Sequence, residues 1–185
     1  MNRGHLTEKY ICDKFLEMMD NKSCFAIKVT ELIKYAKISR STFYVYFDSV
    51  NDLVQRLEDE FIAGLPDEKT LSSSRSQEDN TILTSIVNHM KKNMNLLRAL
   101  CGPYGDPGFH IKMKNRLAKY FLRYYGNNNT RLSNVEKTLI LEYISGGRWQ
   151  MYIWWIDNED KVSIEEFMKS MQKAIRPITN LFRNK

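Results

Sequence analysis

The chain has little of what catalytic, metal or membrane chemistry needs. It holds three cysteines, Cys12, Cys24 and Cys101. The number is odd and no pair has metal-ligand spacing, so no metal site is expected. Cys12 and Cys101 read as small buried hydrophobes in helices. No apolar run approaches the ~18–20 residues that span a bilayer. The opening Met1-Asn2-Arg3-Gly4-His5 has no apolar signal-peptide core behind it, and a cytoplasmic location is the expectation. There is no strand run, internal repeat or low-complexity tract. There is also no phosphate loop and no Ser–His–Asp or Cys–His spacing. His89 and Cys101 stand twelve residues apart and lack a third member. No catalytic residue, cofactor or metal ligand is expected, and nothing points to an enzyme.

What is present is a chain of 185 residues, 43% hydrophobic and 27% charged, with a formal net charge of +6. That suits one or two small helical domains. The charge is unevenly placed. Residues 1–60 hold 9 Lys+Arg against 10 Asp+Glu, a net of −1, and residues 81–185 hold 17 against 8, a net of +9.

Apolar residues at helical spacing predict a helix over 6–19, with Thr7 as its cap. Ser49 and Asp52 open a helix over 50–65, closed by Gly64 and Pro66. The polar, Ser-rich stretch 67–79 predicts a loop. Further helices are predicted over 81–100, 107–125 (Asp106 capping, Pro107 at the first position), 134–156 (Ser133 with Glu136) and 164–181 (Ser163 with Glu166), with a turn at 126–129. Pro177 is expected to kink or fray the last one.

The most informative stretch is Ala36-Lys37-Ile38-Ser39-Arg40-Ser41-Thr42-Phe43-Tyr44-Val45-Tyr46-Phe47. It reads as a tight turn and a very short helix, preceded by another short helix over 29–36. Two such helices joined by a turn are a helix-turn-helix, whose second helix enters the DNA major groove. Four aromatics in five residues cannot share one side of a helix. The local cations Lys28, Lys34, Lys37 and Arg40, set against Glu31, are suited to phosphate.

The ending Ser-Arg-Ser-Thr-Phe-Tyr-x-Tyr-Phe, followed by Asp52-Leu53, resembles the tetracycline-repressor (TetR) family of bacterial regulators over roughly residues 6–57. Further along, Tyr143-Ile144-Ser145-Gly146-Gly147, Trp154-Trp155-Ile156 and Ser163-x-Glu165-Glu166-Phe167 are similar to a branch of small Firmicute-type members. The resemblance implies an all-α fold of about nine helices. Residues 1–48 would be a three-helix DNA-binding domain and 49–185 a C-terminal ligand-binding and dimerisation domain, with the helix over 50–65 connecting them. It further implies DNA contacts by Lys28, Lys34, Lys37, Ser39, Arg40, Ser41, Thr42, Tyr44, Val45 and Tyr46. In that reading Ser39 caps the helix, Arg40 forks onto a guanine, Thr42 and Tyr44 reach the DNA backbone through their hydroxyls, and Val45 touches a thymine methyl. Phe43 and Phe47 pack against Phe15, Leu32 and Leu53. Two positions depart from the family: Lys37 stands where the turn usually carries Gly, and Asp48-Ser49-Val50 supplies no cation where a Lys is common.

The short reading helix covers few base pairs, so a homodimer on a palindromic double-stranded operator is expected, its half-sites ~34–36 Å apart. Candidate dimer-interface residues are Tyr143, Gly147, Met151, Trp155, Phe167, Met171, Ile175 and Ile178, packing as a four-helix bundle. An aromatic set with a few polar companions, His89, Tyr104, His110, Tyr120, Tyr124, Arg148, Trp149 and Tyr152, is the candidate pocket for an unknown small-molecule effector. The function these features predict is a ligand-responsive, DNA-binding transcriptional repressor with no membrane partner. The alternative is an interaction protein on the same fold whose main partner is another protein, motivated by the near-neutral charge of residues 1–60.

Overall fold

The computed structural model describes residues 3–66, 78–125 and 132–182. Among these there are nine α-helices, two short 3-10 turns and no strand, the all-α architecture expected. The chain divides into two units, Met1–Phe109 and His110–Lys185. The loop predicted from residue 67 lies outside the described residues as far as 77, as does the turn predicted at 126–129.

Six helices lie in the first unit: α1 (Arg3–Met19), α2 (Val29–Tyr35), α3 (Arg40–Tyr46), α4 (Val50–Ala63), α5 (Glu78–Lys92) and α6 (Met94–Cys101). Ile11, Phe15 and Met19 recur at four-residue spacing along α1 and form one buried cluster with Leu32 of α2, Phe43 of α3, Phe47, and Val50, Leu53, Val54 and Leu57 of α4. Such spacing stacks side chains on one helix face, and each buried large side chain contributes about 1.5–3 kcal/mol. Cys24 is buried in the same core and Cys12 packs at its edge.

Two local expectations are corrected. Helix α1 begins at Arg3, so Thr7 lies inside the helix rather than capping it; the added turn runs beside Tyr46, whose hydroxyl would stand 3.7 Å from a Cβ on Gly4. The single helix expected over 81–100 is two helices, broken at Asn93. The Asn93 side-chain amide donates to the His89 carbonyl at 2.9 Å and its backbone leaves helical geometry, at φ −113° and ψ 30°. Asparagine competes with the backbone in this way.

The remaining capping signals hold. Gly108 N–H donates to Asp106 Oδ1 at 2.6 Å, where α7 (Pro107–Tyr125) begins. In the second unit lie most of α7, then α8 (Asn134–Ile156) and α9 (Ile164–Thr179). Ser133 and Glu136 close a reciprocal capping box on α8 at 3.2 and 2.8 Å, and Ser163 Oγ accepts from Glu166 N–H at 3.2 Å. Pro177 sits in the last turn of α9, where a 3-10 turn takes over. Helices α8 and α9 share a core in which Trp155 stacks on Phe167, with ring centroids 5.4 Å apart, and Trp155 Nε1–H donates to the Val162 carbonyl at 3.1 Å.

Candidate nucleic-acid interface

The turn between α2 and α3 is set by its backbone. Lys37 has φ 53°, the one positive φ at a non-glycine among the described residues. This left-handed step is where related turns favour Gly, and it strains an L-residue by ~1 kcal/mol. Tyr10 of α1 donates its hydroxyl to the Ala36 carbonyl at 3.1 Å, pinning the chain just before that step. Ser39 then caps α3, its Oγ accepting from Thr42 N–H at 2.9 Å. The Ser41 and Thr42 hydroxyls lie 2.8 and 2.7 Å from the same oxygen.

Helix α3 splits its aromatics between two faces. Phe43 is fully buried, with Phe47 just beyond the helix at 1% exposure; Tyr44 is 45% and Val45 73% exposed. The Phe43 ring meets Tyr44 edge-on at 5.4 Å and Phe47 at 5.7 Å. Arg40 is exposed, and its guanidinium lies 5.7 Å from the Tyr44 ring centroid, a cation–π distance that preorders both side chains on the outer face. Ser41 is exposed and Thr42 half-buried. Tyr46 is half-buried and packs against the core cluster, which leaves it less free than Tyr44 or Val45. Lys28, Lys34 and Lys37 are all exposed.

The charge around this surface is better arranged than a count suggests. Glu31, the acid among the local cations, is occupied: Lys22 Nζ donates to both its oxygens at 2.9 and 2.7 Å, and the Lys28 backbone N–H donates to it at 2.9 Å. Those bonds, Lys22 first, hold its carboxyl below the usual carboxylate range. Glu17 is likewise engaged by Lys14 at 2.7 Å and by the Tyr35 hydroxyl at 3.0 Å. At the start of α4, Asp52 accepts from Asp48 N–H at 3.0 Å while Ser49 Oγ accepts from Asp52 N–H at 3.1 Å. Arg56 reaches Glu8 at 3.3 Å and Asp52 at 3.6 Å. Neither the Tyr10–Ala36 bond nor the Lys22–Glu31 pair carries a spacing signal in the sequence, because the partners of each are far apart along the chain.

The candidate effector residues fall in both units. His89 is held by its backbone neighbours: its Nε2 lies 2.8 Å from the Phe61 carbonyl and its ring packs against Phe61 at 4.8 Å. A Cβ on Gly64 would collide with that ring, so any larger residue at the end of α4 has to displace His89. Burial pushes the His89 imidazole below its ordinary value. Tyr104 lines an open groove of about 580 Å³ between α1 and α6, together with Leu16, Met19, Ala99 and Pro103 and with Asp13, Glu17 and Asp20. In the second unit, His110 is exposed beside buried Trp149, ring centroids 6.4 Å apart. Tyr152 is fully buried, and among the described residues its hydroxyl has no hydrogen-bond partner. Burial raises its phenol pKa, against a smaller lowering by Arg148. The Tyr120 and Tyr124 side chains lie outside the described residues.

The candidate dimer residues also divide. Trp155, Phe167, Met171 and Ile175 are 2–5% exposed, filling the core that α8 and α9 share. Tyr143 and Gly147 are exposed, and Met151 and Ile178 half-buried.

Comparison with known proteins agrees with this architecture. Residues 78–177, more than half of the chain, match the TetR-type family model described as a transcriptional regulator C-terminal region. A curated relative, the HTH-type dhaKLM operon transcriptional activator DhaS of Lactococcus lactis, is 24% identical over 152 residues, 77% of this chain and 75% of the relative. Two solved structures share the fold. A TetR transcriptional regulator from Streptococcus agalactiae has a TM-score of 0.68 at 18% identity and covers 94% of this chain and 95% of its own. The dihydroxyacetone kinase operon activator DhaS has a TM-score of 0.60 at 19% identity and covers 96% of each chain. This chain belongs to the TetR family of transcriptional regulators.

Proposed function

We propose that this regulator acts as a homodimer on a palindromic duplex operator, in the cytoplasm and without catalysis of its own. Residues 1–48 form the DNA-reading part, and 49–185, entered through α4, the regulatory part. Helix α3 enters the major groove. Arg40 and Val45 face base edges, Ser39, Ser41, Thr42, Tyr44 and Tyr46 line the contact, and Lys28, Lys34 and Lys37 neutralise phosphates. The observation that carries this reading is the division of α3 and its cap: Phe43 and Phe47 are anchored in the core while Tyr44 and Val45 stand outward. A helix held from behind presents its outer side chains in one fixed register.

The regulation is read as repression relieved by a small molecule. The buried Tyr152 hydroxyl, without a partner among the described residues, supports an effector that brings a hydrogen-bond acceptor into the second unit. Such an effector needs to favour one spacing of the two reading heads by ~1–3 kcal/mol.

A second reading, in which another protein is the main partner, is favoured by the net charge of −1 over residues 1–60 and by Asp48-Ser49-Val50, which supply no cation at the start of α4. Salt separates the two. Titration of the protein against a fragment from upstream of its own gene should show affinity falling steeply with salt, since phosphate contacts release counterions. A flat salt dependence contradicts the operator reading and favours the protein partner.

A further inference from the structure

The groove between α1 and α6 plays no part in the operator reading. It encloses about 580 Å³, and no residue of α2 or α3 lines it. Along its α1 side stand Asp13, Glu17 and Asp20. They are four and then three residues apart, so they share one edge of the helix over about 10 Å, two turns. All three are exposed. Glu17 is paired with Lys14 at 2.7 Å, whereas Asp13 and Asp20 make no ion pair among the described residues. The one cation in the lining is Arg98. The apolar part of the lining is Leu16 and Met19 from α1, Ala99 from α6, and Pro103 with Tyr104 from the loop that follows. That loop is held in place. Cys24 N–H donates to the Tyr104 carbonyl at 2.8 Å, and a Cβ on Gly105 would run into the Leu100 carbonyl. The end wall is therefore formed before anything binds, and Tyr104 stays 40% exposed upon it.

We propose that this groove takes a basic amphipathic helix of a partner protein, its apolar side on Leu16, Ala99 and Tyr104 and its lysines or arginines along Asp13, Glu17 and Asp20. The charge selects the occupant. Three carboxylates against one guanidinium repel phosphate, which excludes nucleic acid and anionic lipid. The apolar floor gives a fully hydrophilic cation nothing to cover. The open shape disfavours a small molecule, which needs a site that buries most of its surface. A helix laid in a groove needs only one face covered, with anchors three and four residues apart, and that is the spacing the acids offer. The site goes beyond both readings given above and depends on neither. Its place on α1 matters to the reading part. Glu17 accepts from the Tyr35 hydroxyl of α2 at 3.0 Å, and Tyr10 of the same helix donates to Ala36. An occupant of the groove thus lies on the helix that braces the turn before α3.

The test is fluorescence anisotropy of a labelled helical peptide of about 14 residues, four turns, with leucines on one face and lysines at the spacing of the three acids. It is titrated with the full-length chain. The chain carries a net charge of +6 and repels such a peptide at large, so saturable binding has to be local. The paired substitution Asp13→Lys with Asp20→Lys should weaken binding at least about tenfold, as attraction turns to repulsion. Asp157→Lys with Asp160→Lys makes the same change of charge at exposed positions in the other unit and should leave binding no weaker than about twofold. Circular dichroism checks that both variants keep wild-type helicity. A peptide with its leucines replaced by glutamine should bind at least about tenfold more weakly. The proposal is overturned by absence of saturable binding up to ~1 mM, by equal weakening in the two charge variants, or by a glutamine peptide that binds as well. Spermidine binding where the peptide does not would make the occupant a small cation. A change of sedimentation equilibrium in the Asp13→Lys, Asp20→Lys variant alone would make it a second copy of the chain. Either result also overturns it.

Discussion

Tyr10 on α1 holds the carbonyl of Ala36 at 3.1 Å, so the first helix braces the turn that launches α3. Removing only the hydroxyl tests this brace. Tyr10→Phe should lose about 0.5–1 kcal/mol of stability, as for a partly exposed hydrogen bond, read as a lower urea midpoint at unchanged slope.

Lys37 occupies a left-handed step that glycine adopts freely. Lys37→Gly should relieve ~1 kcal/mol of strain, partly offset by a more flexible unfolded chain, and so raise the denaturation midpoint slightly. On the proposed operator complex it also removes a cation set to neutralise phosphate. The same variant should bind operator more weakly, with a log–log salt slope smaller by about one. Gains in stability and losses in affinity from one substitution would separate the turn's two roles.

His89 makes stability depend on pH. Burial, ahead of the opposing bond to Phe61, holds its imidazole below the ordinary 6.5. The unfolded chain therefore binds a proton that the folded chain resists. The stabilisation is complete above pH 6.5 and is lost as pH falls through the depressed folded value. Melting temperature should drop as pH falls from 6.5 toward the depressed folded value, and His89→Gln, which does not titrate, should show a shallower drop over the same window.

Cys12 and Cys24 should be silent to thiol reagents in the native state. Burial, helped by Glu8, pushes the Cys12 thiol up to about 12, and burial raises Cys24 as well. Neither should be alkylated by iodoacetamide at mildly alkaline pH until the protein is unfolded, because the thiolate is the reactive form. Mass spectrometry of tryptic peptides reads the result directly.

Much of the fold was written in short-range signals. Ser39, Ser49, Ser133 and Ser163 each begin a helix where a side-chain oxygen can accept from an N–H three residues on, and Asp106-Pro107 does so through a start signal of a different kind. What escaped was of two sorts. Asn93 breaks a continuous apolar periodicity through its own side-chain bond, which no hydrophobic pattern registers. On α8 the apolar residues run almost all the way round, so periodicity could not tell the face that meets α9 from the face left outside. Trp155 and Tyr143 looked alike in sequence; the structure buries one and exposes the other. The outward face of α3 was legible because Phe43, Tyr44, Tyr46 and Phe47 crowd a segment too short to hide them all. Its charge arrangement was not, since Lys22, in the turn after α1, meets Glu31 of α2.

The outward face of α3 is the centre of the account, and fluorescence anisotropy with a labelled operator duplex tests it most directly. Arg40→Ala and Tyr44→Ala should keep wild-type helicity and melting behaviour, because both side chains are exposed. Arg40→Ala should bind the specific duplex about tenfold or more weakly, the scale of one lost bidentate base contact, and discriminate less against a scrambled one. Unchanged affinity and unchanged discrimination in both variants would contradict it.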